Sequence, residues 1–395
     1  MHGRRVAVTG LGIVSSAGIG KEAFWAGLCG PQSDATERRV DPFDPEEWFD
    51  NGKDARRTDR FAQFAMAAAT LALRDAGAVD GLVGAPAARA GVMIATGVGG
   101  LLTIEDQYDI WRDKGPRRVS PFLVPMIMGN AGAAGVSMKF GWQGPCETVV
   151  TACAAGTHAI GNAARTIAWG RCDAMLAGGS EAAIAKLGLS GFGNMTALSN
   201  SGVSRPFDVR RDGFVIGEGG AVLVLEEWDM AVARNAHIYG EILGAASNAD
   251  AYHITAPSPG GVGARTCIRL ALEDAGLAPA DITHINAHGT STPLNDAAEA
   301  AAIAEIFGNP GPPVSSIKGV LGHALGAAGA LEAAAILLSM EHGQIPPTAG
   351  FSERDPALAE IDIVYGSPRQ WTPGPTLSNS FGFGGHNGCL VIGPA

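Results

Sequence analysis

Twice along this chain a β-branched stretch gives way, through small residues, to an alanine-rich helix. The first case is TVVTACAAGTHAIG (148–161) and the second is PVSSIKGVLGHALGAAGALEAAAILLSM (313–340). Val and Thr favour the pleated surface, so TVVT reads as the end of a strand. From Ala154 onward, Ile160, Ala164 and Ile167 stand at helical spacing, which predicts a helix to about Gly170. Around these segments strands and helices alternate. Strands are expected at 4–14, 88–97, 173–182, 219–228 and 238–249, and a helix from Phe61 to Ala76. Such alternation predicts a largely parallel sheet covered by helices. A further echo pairs ATGVGG (95–100) with NAHGTSTP (286–293), each following a strand. Together they divide the chain into similar halves, 1–240 and 241–395, and predict a pseudo-symmetric αβαβα sandwich. Helices starting at 153 and 323 would both aim their N-termini at the seam between the halves, a usual place for a ligand.

Composition narrows the function. The 395 residues are 46% hydrophobic, enough for two cored units. A net charge of −11 argues against general nucleic-acid binding. No uninterrupted apolar run is long enough to span a membrane, and MHGRRVAVTGLG enters a strand directly, without a signal-peptide core. A cytoplasmic address is expected. The six cysteines, Cys29, Cys146, Cys153, Cys172, Cys267 and Cys389, form no C-x-x-C pair and no zinc spacing. No metal site is expected.

Cys153 falls at the strand-to-helix corner. A helix N-terminus has unpaired N–H groups and a positive dipole, which lower a thiol's pKa and make thiolate available. The other reading is a small buried core cysteine. Among the nine histidines, two stand apart. His288 follows a strand in INAHGTSTPLND, and His323 lies at a helix start in KGVLGHALGAAGA. Both can present ring nitrogens to the seam that Cys153 faces. His158, inside the helix after Cys153, reads as a packing or surface residue, and His253 and His386 stay undecided. The glycine-dense SNSFGFGGHNG (378–388) can aim backbone N–H groups at a developing oxyanion.

Taken together, VTACAAG, NAHGTSTPLND, SIKGVLGHALGAAGALE, NSFGFGGHN and SRPFDVRRDGFVIGEGG resemble the motifs of the elongating, type II 3-oxoacyl-(acyl-carrier-protein) synthases. The likeness runs essentially end to end. It implies the thiolase-like, pseudo-duplicated five-layer αβαβα fold and decarboxylative condensation of an acyl group with malonyl-acyl carrier protein. By position it makes Cys153 the nucleophile and His288 and His323 the pair that assists decarboxylation. Lys318 matches the supporting lysine, paired with Glu332. The N–H groups of Cys153 and Phe381 would form the oxyanion hole, with Phe381 also gating the acyl pocket. Thr290 and Thr292 match residues that hold the phosphopantetheine arm, and Val98 and Phe192 match the acyl-pocket lining. No tightly bound cofactor is implied, because the carrier protein's phosphopantetheine arm bears the substrates.

The implied partners are an acyl carrier protein and a second chain, either a copy or a paralogous chain-length subunit. Carrier proteins of this class are acidic, so docking needs a local basic patch. Candidates are Arg117 and Arg118, which match a family docking position, the cluster Arg56, Arg57 and Arg60, and Arg205. Short basic runs also occur simply to solvate a face. The loop ALSNSGVSRPFD is shorter than in many relatives, and Gly-Val follows Lys318, which leaves acyl-chain preference open. A non-catalytic chain-length partner is the alternative from another class, and such partners usually lack the nucleophilic cysteine present here. A thiolase would use a second cysteine motif that this chain does not carry.

Overall fold

The computed structural model describes residues 1–78, 81 and 83–395. Ten strands run in one continuous order through an 11-stranded sheet. In chain order they are β1 (Val6–Ser15), β2 (Ala90–Ala95), β3 (Cys146–Glu147), β4 (Ala174–Glu181), β5 (Gly219–Glu227), β6 (Gly240–Ala249), β7 (His284–Asn286), β8 (Val314–Ser315), β9 (Thr376–Gly382) and β10 (His386–Gly393). Six helices build the layers: α1 (Arg60–Asp75), α2 (Ala131–Phe140), α3 (Ala155–Ala168), α4 (Val262–Ala275), α5 (Pro293–Phe307) and α6 (Ala328–His342).

The element order β-α-β-α-β-α-β-β occurs twice, from β1 to β5 and from β6 to β10. Each half-sheet repeats the same path, β3-β2-β4-β5-β1 and then β6-β10-β9-β7-β8. The halves meet where β1 pairs antiparallel with β6 through Ala7↔Glu241 and Val8↔Gly240. The sheet is mixed, not largely parallel as the alternation suggests. β2 is parallel to β3 and β4, and β7 to β8 and β9, but β5 and β10 run antiparallel to both their neighbours. The reason is the connection before each of these strands. β9 turns into β10 through the short Phe383–Gly385 turn, and the helix between β4 and β5 (Lys186–Asn194) buries no residue. Without a crossover helix packed on the sheet, a returning strand is antiparallel.

Packing produces five layers. α1 and α2 cover the outer face of the first half, α4 and α5 that of the second, and α3 with α6 fills the centre between both half-sheets. Separate apolar clusters occupy the outer spaces, and the largest surrounds the central pair. α6 is buried on every side from Ala328 to Met340, as a helix apolar all round should be. Two polar residues, Glu332 and Ser339, are buried within it. A buried carboxylate needs a partner, and that of Glu332 leads to the site.

Candidate active site

The corner that carries Cys153 is built by backbone strain. After β3 the chain reaches Ala152 at φ 49°, a conformation that costs an L-residue energy. A 3₁₀ turn at Ala152–Ala154 then leads into α3, so the helix starts one residue later than its pattern suggests. His158 is the brace of this corner: Nδ1 meets the Thr151 hydroxyl at 2.8 Å and Nε2 the Asn387 carbonyl at 3.0 Å. The second half repeats the device. Leu325 has φ 43°, and the 3₁₀ turn Leu325–Ala327 leads into α6. The structural counterpart of Cys153 is therefore Gly326. His323 precedes the helix start instead of forming it.

Glycine lets the two corners touch. A Cβ at Gly156 would stand 2.9 Å from the Ala330 nitrogen, and one at Gly329 would stand 2.7 Å from the Thr157 nitrogen. The helix N-termini thus cross at backbone contact, and His323 reaches Cys153. Its Nε2 lies 3.0 Å from Sγ. The His323 backbone is clamped by the segment before β5, donating to Val215 O at 2.7 Å and accepting from Gly217 N at 3.0 Å. His288 stands beside it, ring centroids 5.3 Å apart and planes at 84°. Its loop is held by Glu299 on α5, which accepts from the His288 and Gly289 N–H groups, each at 2.8 Å, and from Asn379 at 3.2 Å. Glu299 and Asn379 were not singled out by sequence reasoning. Two acids, Asp296 and Glu299, three residues apart among the alanines of α5 were the available signal.

Burial sets the electrostatics. Cys153 is 6% exposed. Desolvation pushes its thiol up to about 11, against the opposing pull of the Lys318 charge and the N–H groups of Phe383 and of Cys153 itself. The expectation of a thiol lowered by the helix dipole is thus corrected: the dipole is present, but desolvation outweighs it. Both histidines are held well below the usual imidazole range by burial and by Lys318. Both rings are therefore neutral at pH 7. In each, Nδ1 is buried without a partner. An orphaned lone pair costs less than an orphaned N–H, which assigns the proton to Nε2 in both rings. Lys318, on the short helix Lys318–Leu321, is ion-paired with Glu332, and burial raises that carboxyl to about 7.

The backbone donor at the sulfur is also a correction. Phe383, not Phe381, directs its N–H at Cys153. Phe381 ends β9, and its ring packs edge-on against His288 at 5.9 Å. Gly384 at φ 83° makes the turn that brings Phe383 over the thiol. Cys153, His288 and His323 are also the only Cys/His/Asp/Glu group among the described residues with ligand atoms within 4.8 Å of one another. A metal there would need the thiolate, whereas burial favours the thiol.

These groups lie at one end of a cavity of about 340 Å³, lined also by Phe192, Phe214, Thr290, Thr292, Phe381 and Phe383. The Thr290 and Thr292 hydroxyls are 2.9 Å apart on its wall. Phe192 packs against Cys153, Ala183 and Leu325. One expected lining residue is elsewhere, and the foreseen partner of Lys318 also stands apart from the cavity. Glu332 is buried behind Lys318 and does not reach the cavity, because its carboxylate is taken by the ion pair. Val98 is 47% exposed and lies outside the lining. Among the docking candidates, Arg117 and Arg118 are exposed on a single 3₁₀ turn. Arg56 is paired with Glu46 at 2.9 Å, and Arg57 covers the Phe122 ring at 4.3 Å. Arg60 is excluded, since Glu218 holds it at 2.7 Å. Arg205 is half-buried, and its backbone N–H donates to Ser291 at 2.9 Å.

Comparison with known proteins places this arrangement. The family model for the beta-ketoacyl synthase N-terminal domain matches residues 31–231, and that for the C-terminal domain matches 239–352. The chain is 44% identical over 410 residues to 3-oxoacyl-(acyl-carrier-protein) synthase 2 of Synechocystis sp., covering 98% of each chain. It is 43% identical over 413 residues to the protein of the same name from Coxiella burnetii, covering 99% of each. Among solved structures, the ishigamide ketosynthase/chain length factor superposes with TM-score 0.92 at 35% identity, covering 100% of both chains. A type II PKS acyl-carrier protein in complex with its ketosynthase bound to the hexaketide gives 0.89 at 32% identity, again over 100% of both chains.

Proposed function

Because the chain belongs to the beta-ketoacyl synthase family, we propose that Cys153 carries the acyl chain and that His288 and His323 stabilise the enolate that extends it. The protein is an acyltransferase, a 3-oxoacyl-(acyl-carrier-protein) synthase acting in fatty-acid or type II polyketide chain elongation. It joins an acyl group to malonyl-acyl carrier protein with loss of CO2.

The chemistry follows from the groups present. The sulfur of Cys153 attacks the carrier-protein thioester, and the N–H groups of Cys153 and Phe383 hold the tetrahedral oxyanion. The carrier thiol leaves with the proton, and the acyl group stays on sulfur. Malonyl thioester then loses CO2, and its electron pair becomes an enolate. Two neutral Nε2–H groups can donate to the enolate oxygen without protonating its carbon. The carbanion attacks the acyl carbonyl, the C–S bond to Cys153 breaks, and the thiolate is released to take up a proton. The phosphopantetheine arm belongs to the carrier, and the scheme uses no tightly bound cofactor. The observation that carries this reading is the 3.0 Å approach of His323 Nε2 to the Cys153 sulfur in the wall of the cavity.

The partner reading has separate support. Arg117 and Arg118 are two adjacent exposed cations suited to an acidic carrier. Val98, Val124, Met128, Met138 and Val150 are exposed apolar residues. β3 is the end strand of the sheet, and among the described residues no strand pairs with its outer edge. An open edge together with exposed apolar residues suits assembly, and a second copy of this chain is the proposed occupant. Val98 would then line the acyl channel only in the dimer. No helix among the described residues is long and apolar enough to cross a membrane.

Intact-protein mass spectrometry tests the function. Acyl-carrier protein should add one acyl mass to the wild type and none to Cys153→Ala, and malonyl-carrier protein should discharge it as 3-oxoacyl product. An adduct retained in Cys153→Ala would reject the nucleophile.

A further inference from the structure

His323 is aimed with little help from its own ring. Nε2 meets the Cys153 sulfur, and Nδ1 is buried without a partner. The ring's place therefore falls to packing and to the backbone that carries it. Val215 and Gly217 clamp that backbone at His323 itself. Two residues on, the chain passes through Leu325 at φ 43°. Such a conformation persists only where the surroundings over-determine it. The next N–H, that of Gly326, donates to the Glu181 carboxylate at 3.0 Å.

Glu181 is the last residue of β4 and is wholly buried. Its Oε2 accepts from Gly97 N at 2.6 Å as well as from Gly326 N, and its Oε1 accepts from the Thr96 hydroxyl at 3.0 Å and from Val98 N at 3.3 Å. Burial raises the carboxyl to about 7 against these four hydrogen bonds, which favour the ionised form. The close approach depends on glycine: a Cβ at Gly97 would stand 2.5 Å from Oε2, and one at Gly326 would stand 2.2 Å from the Gly97 nitrogen. The internal repeat explains the placement. Gly326 is the counterpart of Cys153, and β4 is the counterpart of β9. In the first corner the Cys153 N–H is left for the oxyanion, whereas in the second the equivalent N–H is taken by Glu181. Likewise the 96–98 turn after β2 matches the His288 turn after β7. Each gives two consecutive N–H groups to a buried carboxylate, Glu181 in one and Glu299 in the other.

We infer that Glu181 is a positioning residue for condensation: its carboxylate fills the second half's counterpart of the oxyanion hole, ties the 96–98 turn to the start of α6, and so fixes the segment that presents His323 to the Cys153 sulfur. This rests on the condensing-enzyme reading above. Glu181 lines no part of the cavity, so its removal reaches the reaction through His323. Glu181→Met keeps the length of the side chain and removes both acceptor oxygens, which leaves the Gly97 and Gly326 N–H groups buried and unpaired. Glu181→Gln keeps one oxygen. In the place of Oε2 it accepts from Gly97 and Gly326 as before, its NH2 donates to the Thr96 hydroxyl, and only the longest tie, to Val98, is lost.

The test follows labelled CO2 released from malonyl-carrier protein by the acylated full chain, above the carboxyl's value of about 7. Glu181→Met should lower kcat about 10–100-fold, the cost of misplacing a reacting group by about 1 Å, with KM for the carrier protein within about threefold. Glu181→Gln should recover most of that loss. In the His323→Ala background Glu181→Met should cost less than about twofold more, because two changes that act through one group do not add. A merely structural role would lower both backgrounds alike. If Glu181→Met does not fold, Gly97→Ala takes its place, since its methyl displaces Oε2 and should give the same loss in the wild-type background only. A kcat within about twofold of wild type in the folded variant, an equal loss in the His323→Ala background, or no recovery by Glu181→Gln would overturn the proposal. A wild type that takes up no acyl group and releases no CO2 would instead overturn the condensing-enzyme reading, and the proposal with it.

Discussion

Replacing His323 by alanine removes a group that touches both steps of the reaction, and the structure says by how much each should suffer. His323 offers one ring nitrogen to the reacting centre, Nε2 at 3.0 Å from the Cys153 sulfur, and its other nitrogen has no partner. A single donor is therefore lost. In condensation that donor faces the developing enolate, where one preorganised donor is worth about 2.7–4 kcal/mol, or roughly 10²–10³ in kcat. In acyl transfer the oxyanion keeps both its backbone donors, Cys153 N–H and Phe383 N–H. What is lost there is one hydrogen bond to the thiolate, about 1.5–3 kcal/mol, or roughly 10–100-fold. The two rates are separable. Stopped-time mass spectrometry follows acyl addition to Cys153, and release of labelled CO2 from malonyl-carrier protein follows the second step. The variant also loses edge contacts with Phe214 and His288, so its thermal midpoint must be recorded beside the rates. The expected outcome is an acylated enzyme that accumulates because it decarboxylates malonyl poorly. Equal losses in both steps would mean that His323 acts only through the sulfur. A loss below about tenfold in CO2 release would refute the donor argument itself.

Other predictions concern the surroundings. Alkylation of Cys153 by iodoacetamide should keep rising towards pH 11, since the folded thiol titrates at about 11. A raised folded pKa also means that stability is complete below the ordinary thiol value of about 8.5 and falls by about 1.4 kcal/mol per pH unit above it. Chemical denaturation of wild type against Cys153→Ala between pH 8 and 11 should diverge accordingly, and parallel curves would contradict the burial argument. In Gly382→Ala the new Cβ would stand 3.1 Å from the Cys153 nitrogen and 3.2 Å from that of Ala154. That displacement should lower acyl transfer about 10–100-fold with KM for the carrier protein little changed. Arg117→Glu with Arg118→Glu should raise the carrier-protein KM and leave kcat nearly as it was; an unchanged KM puts docking elsewhere. Val150→Asp places a charge at an exposed apolar position just after β3 and should shift the chain to monomer in sedimentation.

Much was legible before any coordinates. Strand and helix patterns are local, so the repeated strand, corner and alanine-rich helix could be read from residue types, and so could Cys153, His288 and His323 as the groups able to react. The motif around Cys153 has one counterpart in the chain, and two corners facing each other imply a seam. Even there the alignment of the halves slipped. His323 was matched to the helix start that belongs to Leu325–Ala327, because the positive φ of Ala152 and Leu325 leaves no mark in residue type.

What the tertiary structure decided is everything that depends on which groups lose their water. The dipole at Cys153 is a local property and was foreseen, whereas the desolvation that outweighs it comes from elements up to half the chain away. The same holds for Arg60, read as a docking cation but claimed by Glu218, while the Lys318–Glu332 pair that the resemblance implied is sealed away from the cavity. Phe383 rather than Phe381 faces the sulfur because a turn, not a residue type, aims an N–H. Val98 lies outside the cavity because its neighbours leave it uncovered, and Glu181 became notable only once the N–H groups gathered at its carboxylate were seen. Local sequence determines which backbone elements form and which side chains can do chemistry. Dielectric environment and hydrogen-bond satisfaction are sums over distant neighbours, and only the packed fold carries out that sum.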